Sequence, residues 1–116
     1  MQGLKSPLSL GEVTPGIGVM LLDNRDRYGD SNAFAERRGA PYRHWSWQQM
    51  VTDILRFAGL ALPADVLRED TPGNRVAFIS ANCYHRMVSE MAVMGTGMVA
   101  VPVFAGYTAG MRPDLL

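Results

Sequence analysis

The chain has 116 residues, 47% of them hydrophobic, which is enough for one core of ordinary size. Eleven basic and eleven acidic residues cancel and no basic block stands out, so nothing in the charge pattern suits nucleic acid. The longest apolar run is a few residues, far below the roughly 20 that cross a bilayer, and MQGLKSPLSLGE lacks the apolar stretch and cleavage site of a signal peptide. A cytoplasmic protein without a membrane span is the expectation.

Residues 1 to 13 are polar without a period and are expected to form a flexible N-terminal arm. Thr14 followed by Pro15 reads as a helix start, with Ile17, Met20 and Leu21 on the buried face. Asp23, Arg25, Asp26 and Arg27 mark the solvated side, and Gly29 is placed to end the helix with positive φ. Residues 32 to 36 and 42 to 45 flank Arg37, Arg38, Gly39, Ala40 and Pro41, a connection with the chemistry of a hairpin turn.

Ser46 precedes Gln49 by three residues, the spacing of a capping box, with Trp45 and Met50 placed to staple the helix start. Trp47, Met50, Val51, Ile54, Phe57, Ala58 and Ala61 then recur at helical steps up to Pro63. PADVLREDTPGN, from Pro63 to Asn74, reads as a loop with one helical turn at most, and Asp65, Glu69 and Asp70 lie in it without a signal that would perturb them.

Arg75 to Tyr107 carries a complete strand, helix, strand unit. Arg75 to Ser80 and Val99 to Phe104 read as buried strands, and Asn82 is placed to cap the helix between them. Along that helix Tyr84, Met87, Val88, Met91, Ala92 and Gly95 share a face, so a parallel pair with a right-handed crossover is expected. The tail TAGMRPDLL starts like another helix, with Thr108 as its cap and Leu115 and Leu116 as its first apolar pair, and reads as cut rather than finished.

The chemical motifs are weak. Gly95 to Ala100 satisfies G-x-G-x-x-A, but these glycines follow a helix and precede a strand, which is the wrong end of a helix for phosphate; they read as a helix stop. Cys83, the single cysteine, excludes an internal disulfide and is expected to pack. Cys83 and His85 point apart on a helix, and His44 has no partner at ligand spacing, so no metal site is assigned. Ser80 lacks a G-x-S-x-G elbow and reads as a strand end. Met87, Met91, Met94 and Met98 read as core.

Three strings carry a family resemblance. Trp45-Ser46-Trp47-Gln48-Gln49-Met50 is similar to the Thr/Ser-aromatic-x-Glu-Leu helix start of AMP-forming acyl-CoA synthetases, which are adenylate-forming ligases. Pro72-Gly73-Asn74-Arg75-Val76-Ala77 resembles their Pro-Gly-Asp-Arg-Val-Ala entry to a first parallel strand, with Asn82 matching an Asn common after it. Met91 to Pro102, MAVMGTGMVAVP, resembles their next string, where a helix ends at Ala-Gly and a strand at Val-Pro; Gln49, Asn74 and Gly95-Thr96 are departures. The resemblance spans about residues 14 to 112, and FAGYTA looks most like bacterial long-chain fatty-acid ligases.

The resemblance implies an enzyme that joins a carboxylate to ATP with magnesium, giving acyl-AMP, and passes the acyl group to coenzyme A. The family's phosphate loop, adenine segment, ribose-binding Asp and C-terminal lysine have no counterpart in these residues. No catalytic, cofactor-binding or metal residue is therefore assigned. The expected fold is an α/β three-layer fragment: an N-terminal helix and β-hairpin, then a capped helix and a βαβ parallel-sheet unit. Residues 14 to 116 would be the N-terminal part of an AMP-binding domain, incomplete at its C-terminus. Its expected partners are the remainder of that domain and, through an exposed sheet edge, a second copy of the chain. A freestanding, non-catalytic interaction module derived from such a ligase is the alternative.

Overall fold

The computed structural model describes residues 3, 7–9, 11–60 and 74–103. The loop expected from Pro63 to Asn74, with Asp65, Glu69 and Asp70 in it, lies outside these except for Asn74, as does the tail after 103. Among the described residues seven elements follow in order: α1 (Ile17–Tyr28), β1 (Asn32–Glu36), β2 (Arg43–Ser46), α2 (Trp47–Leu60), β3 (Arg75–Ile79), α3 (Tyr84–Gly95) and β4 (Val99–Val103). β1 and β2 form an antiparallel hairpin and β3 and β4 a parallel pair, so the chain is α/β as its pattern predicts.

α1 begins two residues later than a Thr14 cap suggests. Gly16 is its extended N-cap, and no side chain caps it. The helix starts where burial starts: Ile17 and Leu21, four residues apart, face the core. Met20 does not join them and is 37% exposed, because the helical step carries it round toward solvent. Gly29 also differs from expectation. Its φ is −38°, so the chain leaves α1 still right-handed. A Cβ there would come within 3.0 Å of the Arg25 carbonyl oxygen, which makes close approach, not a left-handed turn, the reason for glycine.

That exit prepares the next helix. The Trp47 N–H donates to the Ser31 carbonyl and the Gln48 N–H to the Gly29 carbonyl, both at 3.0 Å. The capping box supplies the rest: the Ser46 N–H donates to Gln49 Oε1 at 2.9 Å, and the Gln49 N–H to Ser46 Oγ at 3.2 Å. The orphan amides of α2 are thus met by Ser46 just before it and by carbonyls of the α1–β1 connection. Trp45 and Met50 are both buried, as a staple requires. In the hairpin Phe34 pairs with Trp45, Ala35 with His44 and Glu36 with Arg43, and Gly39 takes the left-handed conformation at the turn, φ +83°.

One hydrophobic cluster joins α1, the hairpin, α2 and α3 through Leu21, Trp45, Met50, Val51, Ile54, Tyr84, Val88 and Ala92. A smaller one seats the parallel pair: Val93 and Met98 are buried against Phe57, Ala58, Val76, Phe78 and Ala100. Val93, fully buried, lies beside the helix face the spacing selects and belongs to this second cluster.

α3 ends in a Schellman motif. The Gly97 N–H donates to the Met94 carbonyl and the Met98 N–H to the Val93 carbonyl, both at 3.2 Å, with Gly97 at φ +84°. Met98 packs on Val93 across the turn. The glycine pair is therefore a helix stop, as its position after a helix predicts.

The strands are less buried than their apolar run suggests. Paired residues of a parallel ladder share a face: Val76 with Ala100, and Phe78 with Pro102, against Arg75 with Val99, Ala77 with Val101, and Ile79 with Val103. The first face meets the helices. On the second, Ile79 is 47% and Val99 45% exposed, while Val103 at the end of β4 is buried, so this face is open over part of its length.

Candidate functional site

A cleft of about 770 Å³ opens at the carboxyl end of β3, between the end of β1 and the first turns of α3. In open α/β sheets this end of a parallel strand is where ligands gather. The β1 side contributes Glu36, Arg37 and Arg38; the β3–α3 connection contributes Ser80, Asn82 and Cys83. Arg86 and Glu90 reach it from α3.

Arg86 organises the connection. Its Nε donates to Glu90 Oε1 at 2.8 Å, one helical turn on, while Nη1 donates to the Ser80 carbonyl at 2.9 Å and to Asn82 Oδ1 at 3.2 Å. The ion pair is sheltered, with side chains 17% and 24% exposed. One planar guanidinium thus ties the strand end, the loop and the helix together, a task a lysine could not match.

Asn82 is consequently not the helix cap. Cys83 holds that position, with an extended backbone and no side-chain cap hydrogen bond. The Asn82 amide oxygen is instead turned to Arg86. The first amide of α3 is met from the hairpin: the Tyr84 N–H donates to Glu36 Oε1 at 3.4 Å, and Arg38 Nε holds the same carboxylate oxygen at 3.2 Å. A carboxylate at a helix N-terminus also opposes the positive end of the helix dipole. Cys83 is half-buried at the cleft wall rather than fully packed in the core. Ser80 follows the end of β3 and donates its hydroxyl to the Ala81 carbonyl.

Behind the cleft lies an aromatic stack. The Tyr84 ring lies parallel to Trp45, 3.9 Å between centroids at 7°, and Phe34 meets Trp45 edge-on at 6.0 Å. The Arg43 guanidinium covers Trp45 at 4.7 Å, and the Tyr84 hydroxyl donates to Asp53 Oδ2 at 2.7 Å. Burial, then the Asp53 hydrogen bond and charge, push the Tyr84 phenol well above its ordinary pKa of about 10.

This arrangement positions structure. Arg86 and Arg38 face Glu90 and Glu36, and the helix N-terminus holds a carboxylate, so these donors are engaged, while Arg37 also lines the cleft. Among the described residues no three of His, Cys, Asp and Glu come together as ligands for a metal ion. His44 lies on β2 near the Tyr42 ring, and His85 on α3 beside Tyr84, so the two histidines belong to separate elements. Glu36 and Asp53 were missed by sequence reasoning. Their partners lie 48 and 31 residues away, and the only local signal is a helix beginning at Tyr84 without a Ser, Thr, Asp or Asn immediately before it.

Fold and cleft define an open α/β unit with a helix and hairpin packed beside a parallel βαβ element. No family model matches the chain, and no curated protein does. Among solved structures, the crystal structure of IdnL1 is similar: TM-score 0.71, 18% identity, covering 90% of this chain and 20% of that one. At that identity the likeness is one of fold, and the chain spans about a fifth of the length of IdnL1. No helix among the described residues is long and apolar enough to cross a membrane.

Proposed function

We propose that this chain is the N-terminal structural segment of a cytoplasmic, ATP-dependent, AMP-forming fatty acid–CoA ligase, and that it forms no acyl-adenylate by itself. What carries the reading is the coincidence of three family-like strings with three joints of the fold. Trp45 to Met50 is the staple and capping box of α2, Asn74 to Ala77 opens β3, and Gly95 to Pro102 is the stop of α3 running into β4. In each, the residues that carry the resemblance also carry a backbone or packing duty. The fold likeness to one fifth of a longer chain supports a segment within a larger domain. ATP, magnesium and coenzyme A would then be held by the rest of that domain.

The test is acid-dependent exchange of pyrophosphate into ATP by the pure 116-residue chain, together with the mass of its native product detected by antibody. No exchange and a product several times heavier than 12.7 kDa are expected. Exchange by the chain alone overturns the inactivity. A native product of 12.7 kDa overturns the segment reading and favours the freestanding interaction module. The reading also carries self-association: exposed Ile79 and Val99 and the edges of a two-stranded sheet suit a second copy. A monomer by light scattering at high concentration would count against that.

A further inference from the structure

We draw no further inference here: the strongest candidate, the exposed apolar face of the β3–β4 sheet around Ala77, Ile79 and Val99, is an unpartnered surface, and nothing in the structure shows what covers it.

Discussion

The two hydrophobic clusters hold the molecule in different ways. The larger draws on both hairpin strands and all three helices, and its centre is the Trp45–Tyr84 stack. The smaller has two buried residues, Val93 and Met98, and leaves Ile79 and Val99 exposed on the other face of its sheet. The first is closed by contacts between segments far apart in sequence. The second is attached through the turn where Val93 and Met98 meet across the end of α3, and through Phe57 and Ala58 of α2, which pack against both clusters. The larger cluster should therefore set global stability, and the sheet should be the part whose stability depends on what surrounds it.

Trp45→Ala puts that contrast under the largest strain. It removes the stacked ring, the seat of the Arg43 guanidinium and half of the staple at once. Loss of a buried large aromatic costs about 3–5 kcal/mol, a large fraction of the stability of a domain this size. Urea denaturation should show a much lower midpoint, or an unfolded protein. A loss under about 1 kcal/mol would mean that the stack is not the keystone.

Tyr84→Phe keeps the ring and removes only the hydroxyl bonded to Asp53. Hydrogen bonds to charged groups contribute about 1.5–3 kcal/mol, and because the Asp53 side chain is 40% exposed, water replaces part of this, leaving about 1–2 kcal/mol. The pH dependence gives a second readout. The phenol titrates higher in the folded chain than in the unfolded one, so its contribution is full below pH about 10 and is lost as pH rises above it. Wild type should lose stability from pH 9 to pH 11 more steeply than the Phe variant. Equal slopes would remove Tyr84 as the cause.

Legibility follows the same division. Sequence-local devices were readable: the Ser46–Gln49 box, the helical face of α2 and the glycine stop after α3 are all set by residues within five positions of one another. Long-range pairings were not. Asn82 had the right chemistry for a cap, but Arg86 competes for its oxygen and Glu36 takes the amide from another element. The cleft was illegible for this reason, since its walls come from residues 34–38 and 80–90, which share no pattern. β3 illustrates a different failure: an apolar run records that both faces avoid water, and cannot say which of them this length of chain covers.

Gly97→Ala tests the turn that attaches the sheet. At φ +84° a side chain is strained, and the cost is about 1 kcal/mol or somewhat more. The strain falls where α3 passes into β4, so amide exchange should quicken along β3 and β4 while Trp45 fluorescence stays native. Equal loosening around Trp45 would join the two clusters into one cooperative unit and erase the contrast.

Ile79→Thr is expected to have the smallest effect on stability and to be the most informative about the open face. Threonine keeps the β-branch that suits a strand, and a side chain already 47% exposed has little burial to lose. Surface substitutions of this kind fall within about ±0.5 kcal/mol. The change does remove apolar area from the face that carries Val99, so the chain should sediment at lower apparent mass than wild type at the same concentration. Unchanged stability with reduced association would assign the open face to contact between molecules. A loss of 2 kcal/mol or more would instead mean that Ile79 is packed within its own chain, and the smaller cluster would then extend to both sides of the sheet.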